Sequence, residues 1–493
     1  MKKKSFKILV VLVVLMAPLF LTGCKKKCPK PTENIPGTSD YRDDCPFEEE
    51  RDTQTGLREL DLWIVHDNTD DFKEQIQAFQ SNNPGVVVRT KKFVSLEEYE
   101  DLVINEIAEG EGPDVFMVHN SWMPKHYKKL FPLPLDQRIV MTPELFRQTY
   151  FQAAADDLII NEQIYGMPLS MDNLAIFYNK QHFKDLIATS DKPGNLWEDI
   201  KEQTTQLTKK NNSPERFALA GIALGRSDNI SSAVDILYAI MLQFGTEFYD
   251  EKHERAIFAT NQNGVGGSDK PGVEAFELFT SFALPSYRNY SWNEYITGFA
   301  PEEKEVNPFV RGKVSMIIGY PYLYDIIDLS IQQEQRAGNT HIDVGDVGIA
   351  PFPQLVSSTE ATRRDAFASY FPLVVARTSD MPKEAWDLVQ YLTSSDALQT
   401  YHKKTNRPTS RKDMVAEQQT EPLFGAFAYQ APFAKSIVIY NDSAYRKVFA
   451  AAIDEVVKNI ATPEQALTDA QQKITCILQK ERELIDIGTD CGI

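Results

Sequence analysis

From residue 57 onward, apolar and polar residues follow one another in blocks whose spacing predicts alternating strands and helices. Short continuous apolar runs are typical of buried strands, and apolar positions three and four residues apart are typical of helices. The predicted elements are, in order, a strand at 60–65, a helix carrying Phe72, Ile76 and Phe79, a strand from Val86, a helix from Ser95 and a strand at 114–118. This β-α-β-α-β order predicts an α/β fold with a mainly parallel sheet that helices cover on both faces.

Polar side chains follow two of these strands, and they are the first candidates for a binding site. Ligands of open α/β sheets bind at the carboxyl ends of the strands. Asp67 and Asn68 follow the first strand, and Trp122 lies just beyond the third. A second interpretation stays open, in which Asp67 and Asn68 cap the next helix and Trp122 packs over the edge of the sheet.

The first 24 residues have the pattern of an export signal. Lysines precede the apolar run Ile8–Phe20, and Gly23 stands directly before Cys24. The combination resembles the lipobox of bacterial lipoproteins, which implies removal of residues 1–23 and lipidation of Cys24. The expected location is extracytoplasmic, lipid-anchored to the outer face of the bacterial cytoplasmic membrane. A retained membrane anchor and an ordinary cleavage site beside an unrelated cysteine are the alternatives.

Residues 24–56 are rich in proline and polar residues, which predicts a flexible tether. The remaining disulfide candidates are Cys28, Cys45, Cys476 and Cys491. Disulfides persist outside the cytoplasm, and four cysteines allow about three connectivities. We expect at least one bridge between the N-terminal segment and the C-terminal helix. The spacings do not match a zinc site built on a Cys-x-x-Cys pair, and free thiols are the other alternative.

Composition excludes two classes of protein. The 493 residues include 52 Lys and Arg against 70 Asp and Glu, a net charge of −18, without a basic patch beyond the N-terminus. Such a surface repels a phosphate backbone, so no nucleic-acid partner is expected. The only long apolar run is the one near the N-terminus, which argues against a protein with several membrane spans.

Several segments between residues 165 and 467 resemble the motifs of a known family. They are Tyr165-Gly166-Met167-Pro168-Leu169, Asn173–Lys180, Phe309–Gly319, Val347–Pro353, Lys383–Ser394, Asn406–Lys412 and Thr462–Leu467. Their order and spacing across residues 60–475 resemble family 1 of the bacterial extracellular solute-binding proteins, the maltose- and oligosaccharide-type receptors of ABC importers.

The resemblance implies a two-lobed, periplasmic-binding-protein-like clamp (type II), with discontinuous lobes joined by a hinge. The expected division is 1–23 signal peptide, 24–56 tether, 57–168 and 320–370 lobe one, 169–319 and 371–493 lobe two, with the C-terminal helices in the last segment. Chain crossings are expected near 168–174, 314–321 and 369–377.

The same resemblance, together with sugar chemistry, suggests ligand-binding residues. Sugar receptors combine aromatic rings, which stack on C–H faces, with carboxylates and amides that bridge hydroxyl groups. The expected ligand-binding residues beyond the strand ends are Asp172, Asn173, Trp292, Tyr320, Tyr322 and Tyr445. Core packing is the alternative for each aromatic residue. Tyr370 and Phe371 stand where the family commonly has two glycines, so they either narrow the site or supply a platform of their own.

The expected function is that of a membrane-anchored receptor that binds a small solute, a sugar or oligosaccharide, and delivers it to permease transmembrane subunits. No cofactor or metal is expected, and the protein is expected to be a monomer. A scaffold or adhesin with the same fold is one alternative. A secreted carbohydrate-active enzyme is the other, although the sequence lacks the H-E-x-x-H, G-x-S-x-G and P-loop motifs.

Overall fold

The computed structural model describes residues 57–134, 141–211, 216–296, 304–339, 341–355, 364–486 and 488–493. The predicted signal peptide, the lipidation site Cys24, the tether, Cys28 and Cys45 lie outside these residues. Residues 57–493 form one compact unit. None of the helices in the described ranges is long and apolar enough to cross a membrane.

The elements follow in chain order. The first stretch contains β1 (Arg58–Val65), α1 (Thr69–Asn82), β2 (Val86–Phe93), α2 (Leu96–Glu109), β3 (Val115–Met117), α3 (Met123–His126), α4 (Pro143–Thr149), α5 (Gln152–Leu158), β4 (Ile159–Ile160), β5 (Gln163–Ile164) and β6 (Met167–Pro168). The second contains β7 (Ala175–Asn179), α6 (Lys180–Leu186), α7 (Trp197–Leu207), β8 (Lys209–Lys210), β9 (Phe217–Ile222), α8 (Ala233–Phe244), α9 (Pro271–Ser281), α10 (Val306–Val310), β10 (Val314–Gly319), α11 (Leu323–Arg336) and β11 (Val347–Pro351). The last contains β12 (Ala366–Phe367), β13 (Pro372–Val375), α12 (Pro382–Leu392), α13 (Ser395–Thr405), α14 (Val415–Gln418), α15 (Gly425–Gln430), β14 (Ala434–Lys435), α16 (Asp442–Val457) and α17 (Pro463–Glu481).

The first sheet confirms the predicted β-α-β-α-β order. Its strand order is β2-β1-β3-β13-β6, with β1 parallel to both β2 and β3. The apolar positions that predicted α1 are buried, and Phe72 packs against the ring of Tyr401 with 5.3 Å between centroids. Ser95 caps α2 by accepting a hydrogen bond from the Glu98 amide at 3.3 Å. The sheet is mixed, because β13 runs antiparallel to β3 and β6.

The second sheet has the order β11-β7-β10-β9-β8. All five residues of β7 are buried, because β11 and β10 flank it on either side and helices cover it. Every residue of α8 is buried as well, which matches its nearly continuous apolar sequence. Full burial of a large apolar side chain contributes about 1.5–3 kcal/mol, so such elements form the stable centre of their half of the molecule.

The two sheets lie in separate hydrophobic cores and define two lobes. Lobe 1 is the core built on the first sheet together with α12 and α13, and lobe 2 is the core built on the second sheet together with α8, α9, α16 and α17. The chain passes between the cores near 171–174, near 352–366, between α13 and α15, and on either side of β14, where Ala434 lies in lobe 1 and Ile437 in lobe 2. A short ladder, in which β12 pairs with β14, lies within these connections. The expected two-lobed α/β clamp with discontinuous lobes is the observed fold.

The expected division of 320–370 and 371–493 between the lobes is wrong. Strand β11 pairs with β7, so β11 and α11, which packs in the same core, belong to lobe 2. Strand β13 pairs with β3, so it belongs to lobe 1 together with α12 and α13. The crossing expected near 168–174 has a counterpart in the structure, whereas those expected near 314–321 and 369–377 lie inside a lobe. Strand pairing decides the lobe, and an apolar strand sequence does not show which sheet it joins.

The expected bridge between the N-terminal segment and the C-terminal helix is also wrong. Cys476 of α17 forms a disulfide with Cys491, so neither sulfur is available to Cys28 or Cys45. The bridge fastens the last residues of the chain to α17. Lys480 adds a second contact by donating a hydrogen bond to the carbonyl of Thr489 at 2.7 Å.

Candidate functional site

Lobe 1 presents a buried charge cluster at the carboxyl edge of its sheet. The guanidinium of Arg407 pairs with the carboxylates of Asp67, at 2.7 Å, and of Asp172. The hydroxyl of Tyr401 donates to the other oxygen of Asp67 at 2.8 Å. Burial raises the pKa of Asp172, and the positive charge of Arg407 opposes that rise. We call Asp67, Asp172 and Arg407 the lobe 1 triad.

Three different elements bring the lobe 1 triad together. Asp67 follows β1, and Asp172 lies in the first connection between the lobes. Arg407 follows α13, whose C-cap Asn406 has a φ of 55°, in the left-handed region that asparagine tolerates. This turn ends the helix and leads the chain back toward the edge of the sheet. The triad is therefore fixed by the fold of lobe 1.

Lobe 2 carries a second cluster with the same composition. Arg446 pairs with Asp235 at 2.7 Å and with Asp442, four residues earlier on α16, at 2.7 Å. The hydroxyl of Tyr320 donates to the other oxygen of Asp235 at 3.0 Å. Asp235 is a buried carboxylate on the otherwise mainly apolar helix α8, so it requires these partners. We call Asp235, Asp442 and Arg446 the lobe 2 triad.

His119, in the loop after β3 of lobe 1, lies within reach of the lobe 2 charges. Its ring nitrogens contact the hydroxyl of Ser121 at 2.6 Å and that of Ser369 at 2.8 Å. Burial lowers the pKa of His119 to about 4, and the charges of Asp442 and Arg446 act on it from lobe 2. The loop after β3 in lobe 1 therefore lies beside the lobe 2 triad, and His119 is neutral at neutral pH.

Tyr322 of lobe 2 lies in the same region as His119 and the lobe 2 triad. Its ring stacks on that of Tyr320 with 5.9 Å between centroids, and 47% of the residue is exposed. Shielding of its hydroxyl raises its pKa to about 12, and Asp235 of lobe 2 and Arg407 of lobe 1 act on it in opposite directions. An exposed aromatic ring thus lies between the two triads. We call the two triads, His119 and Tyr322 the inter-lobe site.

Phe371 adds an aromatic edge on the lobe 1 side. Its ring is 5.0 Å from that of His119 and 5.4 Å from that of His66, in edge-to-face arrangements. Tyr370, the neighbouring residue, points away from this edge. It is fully buried in lobe 1, and its hydroxyl donates to Asp157 at 2.8 Å. Of the two bulky residues that replace the family's glycines, only Phe371 therefore borders the inter-lobe site.

The structure places the sequence-predicted residues in four different surroundings. Asp67, Asp172, Tyr320, Tyr322 and Phe371 come together at the inter-lobe site. Asn173 lies in the connection between the lobes, where its amide donates to the carbonyl of Phe427 at 3.0 Å and accepts from Gln430 at 2.9 Å. Asn68 is the N-cap residue of α1, on the exposed edge, and accepts from Lys92 at 2.5 Å.

The remaining predicted residues are packed in the cores. Trp122 is buried against Tyr99 and His119. Trp292 is buried, and its indole nitrogen donates a hydrogen bond to Asn229 at 2.8 Å. Tyr445 is buried and contacts the Tyr249 hydroxyl at 3.4 Å, and Tyr370 is buried as described above. For these side chains the packing alternative describes the observed position.

Sequence reasoning missed four charged residues of the inter-lobe site, Asp235, Asp442, Arg407 and Arg446. Asp235 carries a readable signal, because a carboxylate inside an apolar helix is almost never buried without a partner. The two arginines carry none, since each is one of many charged residues and only the fold brings it to the site. Within the described ranges, no group of three or more His, Cys, Asp or Glu side chains is arranged to hold a metal ion.

Chemically, the site offers fixed hydrogen-bonding groups on both lobes and an aromatic face between them. The carboxylates accept and the guanidinium groups donate, and each group is held in place by its ion pair. Such a surface suits a polar, uncharged molecule with several hydroxyl groups and an apolar face. Burial, and then the charge of Asp328, raise the pKa of Asp325 in lobe 2, and Asp71 of lobe 1 adds a smaller rise across the site.

The chain is similar to known proteins over most of its length. Residues 66–399 match the family model described as bacterial extracellular solute-binding protein. The chain is 21% identical to a maltotriose-binding protein of Pyrococcus abyssi over 325 residues, which cover 66% of this chain and 59% of that protein. It is also 21% identical to a multiple sugar-binding protein of Streptococcus mutans, with 71% of this chain and 74% of that protein covered.

Solved structures show the same fold. The sugar-binding protein MalE of Xanthomonas citri is similar with a TM-score of 0.66 and 18% identity, covering 86% of this chain and 98% of that one. The cyclic α-maltosyl-1,6-maltose binding protein of Arthrobacter globiformis is similar with a TM-score of 0.66 and 16% identity, covering 86% and 99%. Because the family match spans more than half of the sequence, the chain belongs to the bacterial extracellular solute-binding proteins.

Proposed function

We propose that the protein is the receptor of an ABC importer, that it binds a sugar or oligosaccharide at the inter-lobe site, and that it carries out no catalysis. The observation that carries this proposal is the pair of Asp–Arg–Asp triads, one on each lobe, with the exposed ring of Tyr322 between them. The relatives that the chain resembles are sugar-binding proteins, which supports the same class of solute.

The triads suit sugar hydroxyls for a physical reason. A carboxylate or guanidinium in water must give up hydration before it binds a hydroxyl, whereas a triad held by ion pairs and a tyrosine hydroxyl is already oriented. The ring of Tyr322 offers an apolar face to the C–H groups of a pyranose. A solute bound between the lobes contacts both triads only when the lobes are close, so its extra contacts favour the closed arrangement.

The position of Tyr370 supports binding over a scaffold role. A scaffold no longer needs an open site between its lobes, and bulky residues in place of the family's glycines suggested such a loss. Tyr370 is instead buried inside lobe 1 against Asp157, so it does not fill the inter-lobe site. Phe371 borders the site and adds to its aromatic lining.

The anchoring and delivery steps of the proposal rest on the N-terminal sequence and on the family. Lipidation of Cys24 would fasten the protein to the outer face of the membrane through the tether, at a distance that permits contact with permease subunits. Metabolic labelling with a radioactive fatty acid tests this directly. Label is expected in the wild type and not in Cys24→Ser, and label retained in that variant would contradict the anchor.

Solute binding is tested by thermal unfolding of the purified protein against mono- and oligosaccharides, among them maltotriose and galacto-oligosaccharides. A ligand that binds only the folded state stabilises it by about 2.7 kcal/mol at a concentration of about 100 Kd. We expect one saccharide class to raise the unfolding midpoint, and peptides and sugar phosphates to leave it unchanged. A folded protein whose midpoint rises with peptides and with no saccharide would contradict the proposal.

A further inference from the structure

Asp157, near the end of α5 in lobe 1, gathers three donors from three separate parts of the chain. One carboxylate oxygen accepts from the hydroxyl of Ser436 at 2.5 Å. The other accepts from the hydroxyl of Tyr370 at 2.8 Å and from the amide of Asn120 at 3.1 Å. The residue as a whole keeps some contact with solvent, but its carboxyl group lies among these donors.

Two of the three donors, Asn120 and Tyr370, belong to segments that border the inter-lobe site. Asn120 follows His119 in the loop beside the lobe 2 triad, and its own side-chain oxygen accepts from the amide of Tyr370 at 3.2 Å. Tyr370 lies between Ser369, which contacts His119, and Phe371, which borders the site. These two segments therefore hold the lobe 1 side of the site.

Ser436, the third donor, lies in a segment that connects the two lobes. It directly follows β14, which pairs with β12, and the amide of Ala368 donates to the carbonyl of Lys435 at 2.9 Å. The chain continues from Ser436 into lobe 2, where Ile437 is part of the core. One carboxylate thus joins the loop after β3, the segment before β13 and the crossing at β14.

We propose that Asp157 is the positioning residue of the hinge, whose carboxylate holds the crossing segments and the loop after β3 in the arrangement that binds solute. It does not touch the inter-lobe site itself, and it acts through Asn120, Tyr370 and Ser436. The binding readout of this inference rests on the proposed function, so a second readout without solute accompanies it below.

The charge of Asp157 makes this hinge sensitive to pH. Burial raises the pKa of Asp157 from its usual acidic value to about 6, against the lowering effect of its three hydrogen bonds, with a smaller rise from Asp156. Two of its donors have ionisable chain neighbours: His119 precedes Asn120 and contacts Ser369, and Lys435 precedes Ser436 and pairs with Asp365. Above pH 6 the carboxylate is ionised and accepts all three bonds. Below it, the proton occupies one oxygen and an acceptor position is lost.

The test compares the wild type with Asp157→Asn between about pH 5 and pH 8, measuring the solute Kd by titration calorimetry and the unfolding midpoint at each pH. If the ionised form is the one that binds, the wild-type Kd rises by up to about tenfold for each pH unit below 6. We expect Asp157→Asn, which stays neutral throughout, to bind more weakly at neutral pH and with a Kd that does not change over this range. Asp156→Asn, one residue away and exposed, serves as the matched control and is expected to follow the wild type.

If Asp157→Asn unfolds at a lower midpoint but binds solute with the same Kd as the wild type at every pH, Asp157 has a structural role only and the proposal is overturned. A Kd of Asp157→Asn that changes with pH as the wild-type Kd does would also overturn it. Hydrogen exchange of the peptide around Ala368, measured without solute and corrected for intrinsic rates, gives the second readout. We expect faster exchange in Asp157→Asn and, below pH 6, in the wild type. If no saccharide binds the wild type, the proposed function fails, and the exchange result still decides the role of Asp157.

Discussion

Removal of the Arg407 guanidinium is the perturbation with the largest expected effect on the site. The side chains of Arg407, Asp67 and Asp172 are 10%, 5% and 4% exposed, so Arg407→Met leaves two carboxylates buried without their cation. Removing one partner of a buried ion pair costs about 3–5 kcal/mol, because the remaining charge is neither hydrated nor paired. We expect a loss of that size in the free energy of unfolding at about pH 7.5.

The expected loss depends on pH in a definite direction. Burial already raises the pKa of Asp172, and Arg407 opposes the rise, so the pKa rises further in Arg407→Met. In this pH range the folded variant holds a proton on the carboxyl group that the unfolded variant has released. The difference in free energy of unfolding between the variant and the wild type therefore becomes smaller as the pH falls toward about 5. The triple variant Arg407→Met, Asp67→Asn, Asp172→Asn removes the stranded charges and is expected to recover most of the loss at about pH 7.5.

Urea denaturation followed by tryptophan fluorescence measures these differences. Arg147→Met is the matched control, because Arg147 pairs with Glu162 at 2.7 Å with side chains 38% and 72% exposed. An exposed pair of this kind contributes little to stability, because water screens its charges. A cost for Arg407→Met no larger than that of the control would refute the claim that the lobe 1 triad is a buried, mutually dependent unit.

Three further predictions follow from the placement of individual residues. Tyr322→Ala is expected to weaken saccharide binding by about tenfold or more while leaving the unfolding midpoint nearly unchanged, and Tyr295→Ala, also exposed, is expected to leave the affinity unchanged; equal affinities in titration calorimetry would contradict the platform role. Trp292→Ala is expected to cost about 3–5 kcal/mol of unfolding free energy, because Trp292 is fully buried, and a stable variant with a selective binding defect would contradict its assignment to the core. Peptide mapping without reductant is expected to show Cys476 linked to Cys491, and Cys491→Ser is expected to cost up to about 3 kcal/mol for a separation of 15 residues; a peptide linked to Cys28 or Cys45 would contradict this pairing.

Local signals in the sequence were sufficient for the first three strands of the first sheet and the helices between them. The apolar run before Asp67, the helical spacing of Phe72, Ile76 and Phe79, and the cap at Ser95 each depend on neighbours in the chain, and the structure confirms the elements that they predict. The family motifs extended this to the two-lobed fold. The sequence did not show which aromatic residues are buried in the cores, because burial of Trp292 or Tyr445 depends on segments that are distant in the chain.

Long-range pairing explains what the sequence could not show. The assignment of β11 to lobe 2 and of β13 to lobe 1 depends on which sheet each strand joins. The same limit applies to the triads, since Arg407 is 340 residues from Asp67 in the chain. Tyr370 and Phe371 are adjacent and equally aromatic, yet in the segment before β13 one lies inside lobe 1 and the other borders the inter-lobe site.

The central claim is that solute binds between the lobes and draws them together. Small-angle X-ray scattering of the purified protein, with and without the saccharide that stabilises it, measures this most directly. The account predicts a smaller radius of gyration at saturating saccharide in the wild type, and no change with a saccharide that fails to stabilise the fold. An unchanged radius of gyration at a concentration that calorimetry shows to be saturating would contradict closure of the two lobes around the solute.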